Sequence, residues 1–98
     1  MEKVKQFKIY QLGDCETKYA FLSWKTAATD FRFSDYEYVY GGYSDSLEDI
    51  YARFNMFHPS DFKGHSLSVS DVVMFGDQYY YCDSIGWENI TDVIKRGN

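Results

Sequence analysis

Residues 58–83, HPSDFKGHSLSVSDVVMFGDQYYYCD, hold the pattern on which the fold of this chain turns. Val72 to Phe75 and Gln78 to Cys82 flank Gly76-Asp77, a two-residue connection of the kind that closes a β-hairpin. Just upstream, Leu67 and Val69 alternate with Ser66, Ser68 and Ser70, which sends the serines to the face opposite the apolar pair. Continuing that period would carry Asp71 onto the apolar face, so the chain is expected to turn at Ser70-Asp71. His58-Pro59 opens the stretch and stops a preceding helix, because the residue before a proline is driven out of the α region. Ser60 to Gly64 is a turn-rich connection.

Working outward, Ser46 followed by Asp49 has the spacing of a capping box, and Glu48 and Asp49 sit where the helix dipole favours negative charge. Leu47, Ile50, Tyr51, Phe54 and Phe57 then recur at three- and four-residue steps, an apolar stripe that should pack on a sheet. Residues 36–40, YEYVY, alternate with period two, which places three tyrosines on one face and Glu37 and Val39 on the other before Gly41-Gly42 breaks the strand. Residues 4–12 read as a strand with Phe7 and Ile9 on one face and Tyr10 and Leu12 on the other, buried on both sides for part of its length. Residues 19–24 suggest a short strand running into a turn or brief helix over 25–29. Downstream, residues 85–87 are extended and packed by Trp87, and Ile90, Val93 and Ile94 suit a short amphipathic helix. The expectation is one α+β domain over residues 1–98, a small, mainly antiparallel sheet of about five strands packed with one or two helices.

Composition agrees with a single core. Of 98 residues, 45% are hydrophobic and 20% aromatic, ample apolar surface to offset the entropy of folding. The formal charge is −5, and no basic run exceeds Lys95-Arg96, so the electrostatic footprint of a protein that grips phosphate backbones is missing. Direct nucleic-acid binding is disfavoured. No apolar stretch approaches the roughly 20 residues that span a bilayer, and MEKVKQFK leads into a strand pattern rather than a secretory signal; a cytoplasmic location with no membrane contact is expected. Cys15 and Cys82 are distant and form no CxxC, which points to two reduced thiols.

Several constellations invite a chemical reading. His58 and His65 with Cys82 or Asp83 could be written as a metal site, but the spacing fits no paired-ligand zinc motif. Ser66, Ser68 or Ser70 beside His65 and Asp71 could be written as a hydrolase triad, yet nothing like GxSxG presents a nucleophile. The glycines form no phosphate-cradling loop. No catalytic residue, metal or cofactor is therefore expected. Asp61, Gly64, His65, Ser66, Ser68, Ser70 and Asp71 read instead as a structural motif, in which short polar side chains bond nearby backbone amides. Residues 30–49 are the most polarised part of the chain: Asp30, Asp35, Glu37, Asp45, Glu48 and Asp49 against the single base Arg32, interleaved with Tyr36, Tyr38, Tyr40 and Tyr43. Carboxylates that meet a basic partner, with tyrosines as anchor area, make this the candidate partner-binding face.

The run FKGHSLSVSDVV over residues 62–73, followed by YCDSIGW over residues 81–87, resembles the YodL-like domain found in conjugative elements and phages of Firmicutes, alone or inside larger polyvalent proteins. The likeness extends upstream through FKIYQL (7–12), the tyrosine strand (36–40), LEDIY (47–51), Phe54-Asn55 and His58-Pro59, and so covers most of the chain. Trp87 stands where phenylalanine is expected, and residues 23–35 match poorly. The resemblance transfers no catalytic residue; it implies an accessory protein of a mobile genetic element. The expected function is non-enzymatic inhibition of a host defence system, of the anti-CRISPR or anti-restriction kind, by binding a protein partner such as a basic nucleic-acid-binding defence effector. An interaction module regulating the element's own transfer or replication machinery is the alternative, and an enzyme built on the His65 to Asp71 cluster is a third reading. Nothing in the residues sets an oligomeric state.

Overall fold

The central strand, β1 (Lys5–Leu12), owes its place to its alternation: Phe7, Ile9 and Gln11 are buried towards one side, while Tyr10 and Leu12 are half-buried towards the other. The computed structural model describes residues 4–12, 22–29, 31–56, 60, 67–83 and 86–96. In it β1 lies between β2 (Tyr36–Ser44) and β3 (Val72–Phe75), and β4 (Gln78–Asp83) and β5 (Gly86–Asn89) extend the sheet in the order β2-β1-β3-β4-β5. Every neighbouring pair is antiparallel. Among the described residues three helices join the sheet: α1 (Trp24–Ala27), α2 (Leu47–Met56) and α3 (Thr91–Lys95), with a 3-10 turn at Phe33–Asp35. The α+β class and the five-stranded antiparallel sheet are those expected.

Each face of the sheet has its own core. On one, Phe7, Ile9 and Val73 pack against Ile50 and Phe54 of α2 and against Leu67, with Val39, Tyr40, Leu47, Phe75 and Trp87 around them. The rings of Phe7 and Phe54 meet edge to face at 5.8 Å, a geometry that adds about 0.5–1.5 kcal/mol to the burial itself. On the other, Val72 and Tyr81 pack against Ala27, Phe31, Tyr36 and Ile90. Trp24 lies 5.1 Å from Phe31 and 5.0 Å from Tyr81, centroid to centroid. The Tyr81 hydroxyl donates to the Leu22 carbonyl at 2.6 Å, so the buried ring keeps its polar end satisfied.

The hairpin forms where Gly76-Asp77 predicts it, with Gly76 at φ +66°. A positive φ at the first loop position alone is the II′ pattern, which glycine enters without a Cβ clash. The Gly76 N–H continues outward to the Gln6 carbonyl at 2.8 Å. Gly42 pairs with Phe7 across β1 and β2; a Cβ there would stand 3.2 Å from the end of the buried Phe7 ring, so the missing side chain is the space that the ring fills.

Four local expectations are corrected. The YEYVY strand does not keep one period: Ile9 pairs with Tyr40 but Tyr10 pairs with Tyr38, so Val39 is an extra, bulged residue. A bulge reverses the facing of everything beyond it, and Tyr40 joins Phe54 on the α2 side while Tyr36 and Tyr38 lie on the other. The serine alternation at 66–70 is not a strand over its described part, since Val69 and Ser70 form a turn and Ser70 takes φ 88°. Tyr51 leaves the apolar stripe of α2 and is 44% exposed, because Leu47, Ile50 and Phe54 already fill the face towards the sheet; Phe57 lies outside the described residues. Trp24 begins a helix rather than ending a strand, and residues 19–21 lie outside the described part. Among the described residues no helix is long and apolar enough to cross a membrane.

Candidate functional site

Two groups of residues carry the sequence-predicted sites, and the structure separates them. The first is the turn before β3. Asp71 is 2% exposed, and its Oδ2 accepts from the Ser68 N–H at 2.9 Å and from the Gln11 side-chain amide at 3.1 Å. The Cys82 N–H donates to the Asp71 carbonyl at 2.7 Å, and the Ser70 N–H donates to the Cys82 carbonyl at 2.9 Å. The Tyr36 hydroxyl donates to the Ser70 carbonyl. The turn thus ties β1, β2 and β4 together, and in these contacts Asp71 anchors backbone and a neighbouring strand. Among the described residues the buried Ser68 hydroxyl has no hydrogen-bond partner. Asp61, Gly64, His65 and Ser66 lie outside the described residues, as does His58.

Cys82, offered above as a metal ligand, is 4% exposed. Burial first, then the Asp71 and Asp83 carboxylates, push its thiol up to about 12, the opposite of what a free nucleophilic thiolate requires. In a Cys15→Ser background, labelling by dithionitrobenzoate in native buffer should run at least about 100-fold slower than in urea, because the thiol reacts only from opened molecules. Stopped-flow absorbance checks this.

The second group spans residues 35–49. Tyr36 is 9% exposed and serves the core through its ring and its bond to Ser70, so it is not available to a partner. Tyr40 is half-buried, with its ring 5.3 Å from that of Phe54. Asp35 is half-buried in the 3-10 turn, and Asp30 lies outside the described residues. What remains exposed is Glu37, Tyr38 and Tyr43 on β2, with Asp45 and Glu48 just beyond it. Tyr38 is 57% and Tyr43 65% exposed; their pairing with Tyr10 and Gln6 puts both on one face of the sheet, whereas Glu37, opposite Gln11, lies on the other. The Tyr38 hydroxyl lies over Gly41, where a Cβ would come within 2.6 Å of it. Among the described strands β2 pairs only with β1, so its outer edge presents backbone donors and acceptors between these side chains.

Asp49 belongs to the helix start rather than to the patch. Its N–H donates to Ser46 Oγ at 3.0 Å, the expected cap, but its carboxylate does not reach back to Ser46. Ser44 supplies that partner: its hydroxyl accepts from the Ser46 N–H at 3.3 Å and donates to Asp49 Oδ2 at 2.7 Å. Arg53 adds a contact of 2.6 Å to the same oxygen, one turn along the helix. The Ser44 hydroxyl first, and the Arg53 guanidinium after it, hold the Asp49 carboxyl below its usual range. A carboxylate whose folded pKa is depressed stabilises the fold above its unfolded pKa, and that contribution is lost as pH falls through the folded value. The difference in urea midpoint between wild type and Asp49→Asn should therefore be present at about pH 7 and vanish in acid, and it should be small, because this pair is exposed and screened.

A family model described as YodL-like domain matches residues 6–93. No curated protein and no solved structure matches the chain.

Proposed function

We propose, from the premise that this chain belongs to the YodL-like domain family, that it is a cytoplasmic, non-enzymatic inhibitor of a host defence system, carried by a mobile genetic element and acting by protein–protein binding. The partner is a basic, nucleic-acid-binding effector of the CRISPR or restriction kind. The observation that supports this reading is the exposed edge strand β2. Tyr38 and Tyr43 stand out on one face of it, Glu37 on the other, and Asp45 and Glu48 follow at its end. Tyrosines supply rigid anchor area, the edge that no other described strand pairs with supplies main-chain hydrogen bonds, and the carboxylates, on a chain of net charge −5, steer a basic partner to them. A protein that covers a basic nucleic-acid channel in this way needs no catalytic group.

The test is affinity capture from a host lysate at low and at raised salt, with wild type and with Asp45→Lys/Glu48→Lys. These two carboxylates are chosen because Asp49 holds the helix start and its replacement would confound folding with binding. Capture of a defence nuclease that weakens with salt and fails with the lysine variant supports the proposal. Capture of transfer or replication proteins alone overturns it in favour of a module that regulates the element's own machinery.

A further inference from the structure

The backbone of β2 shows which of its residues a second strand would meet. The Gly76 N–H bonds the Gln6 carbonyl at 2.8 Å, so Gln6, and two residues on Lys8, turn their peptide groups towards β3. Phe7 and Ile9 turn theirs towards β2, where they face Gly42 and Tyr40. The alternate residues Gly41 and Tyr43 therefore turn their peptide groups outward. The Tyr43 carbonyl accepts from the Arg53 guanidinium at 3.3 Å; among the described residues the outward groups of Gly41 have no partner. Lys8 stands directly across from Gly41 on β1, half-buried in the central strand, and among the described residues it makes no ion pair. Of the charged side chains on β1, β2 and β3 it alone lies on this face, since Lys5 lies over the Phe75 ring at 5.5 Å and Glu37 is opposite Gln11. A half-buried charge is stabilised by a counter-charge. Gly41 puts no side chain between Lys8 and the edge, and the Tyr38 hydroxyl, which a Cβ at Gly41 would approach within 2.6 Å, lies over the gap. Two side chains that donate thus border the residue whose backbone is open.

We propose that an extended segment of the protein partner pairs with the outer edge of β2 at Gly41 and carries a glutamate opposite it, whose carboxylate accepts from the Lys8 ammonium and the Tyr38 hydroxyl. A residue opposite Gly41 on an added strand shares the face of Lys8 and stands about 10 Å from it, Cα to Cα, a gap that the two side chains close from both ends. A lysine or arginine there would meet Lys8 like to like. The proposal rests on the reading of the β2 edge given above and deepens it: Asp45 and Glu48 steer a basic partner, and Lys8 fixes the register by taking the one acidic side chain in its docking strand.

Titration of isotope-labelled protein with the blocked peptide acetyl-Thr-Val-Glu-Val-Thr-amide, and with its glutamine and lysine counterparts, tests this by NMR. The Gly41 backbone N–H should shift saturably in the millimolar range, and the glutamate peptide should bind about fivefold more tightly than the glutamine one, with the lysine peptide weakest. The net charge of −5 by itself favours the lysine peptide, so this order reports the local cation. Lys8→Met, which keeps the apolar stem and removes the charge, should bring the glutamate peptide down to the glutamine one and leave the glutamine peptide unchanged, which also shows that the variant is folded. Equal binding of the glutamate and glutamine peptides, or a preference that survives Lys8→Met, would overturn the Lys8 contact and leave the β2 edge reading intact. Absence of saturable shifts at Gly41 with all three peptides would overturn the added strand. The peptides need no host partner, so either failure is separate from the outcome of the lysate capture.

Discussion

Replacing Phe54 by alanine is expected to lower the unfolding free energy by about 3–5 kcal/mol, measured by urea denaturation. Phe54 is fully buried and packs against the rings of Phe7 at 5.8 Å and Tyr40 at 5.3 Å, so its removal opens a cavity between α2 and the sheet. A loss of that size is a large part of the roughly 5–15 kcal/mol that holds an ordinary domain together. Tyr51→Ala, three residues away on the exposed side of the same helix, is the control and should change stability by under about 1 kcal/mol. Equal losses from the two variants would show that α2 does not pack through the stripe of Leu47, Ile50 and Phe54.

Asp71→Ala should cost about 2–4 kcal/mol, because it takes the acceptor away from the part-buried Ser68 N–H and from the buried Gln11 amide, and a buried group so deprived costs about 1–3 kcal/mol. Asp71→Asn keeps one acceptor oxygen and the shape, loses the charge, and should lose about half as much. Chemical denaturation of the pair distinguishes the anchor from a replaceable turn residue: a loss below about 0.5 kcal/mol, the range of surface substitutions, would mean that the turn holds without its carboxylate.

How far the fold could be read depended on whether the deciding interaction was local. The two faces of β1 follow from Phe7 and Ile9 against Tyr10 and Leu12, since period-two alternation maps directly onto a strand. Gly76-Asp77 announced its hairpin because a positive φ demands glycine, and Ser46 announced the start of α2 because a cap is a contact three residues long. The bulge at Val39 gave no such signal. YEYVY looks like an unbroken alternation, and a β-branched residue carries no mark of being the one left unpaired; the bulge is decided by the register with β1, and with it the side of the sheet that Tyr40 takes. The burial of Tyr36 was hidden for the same reason, as its hydroxyl partner is a carbonyl 34 residues away. The alternating serines imitated a strand up to the turn expected at Ser70-Asp71, which falls one residue earlier, at Val69-Ser70, with Ser70 in a φ that serine seldom adopts. At the candidate site, the exposure of Tyr38, Tyr43, Glu37, Asp45 and Glu48 accords with the polarised composition of residues 30–49. The separation of Tyr36, Tyr40 and Asp49 from them came only with the packing.

The central claim is that the β2 edge binds a protein partner through its exposed tyrosines. The direct measurement compares partner capture by wild type and by Tyr38→Ala/Tyr43→Ala, with thermal unfolding recorded for both. Because these side chains are 57% and 65% exposed, the midpoint should stay close to wild type while capture falls by about tenfold or more, as the loss of aromatic anchors demands. Undiminished capture by a folded double variant would contradict the account and move the binding surface away from β2.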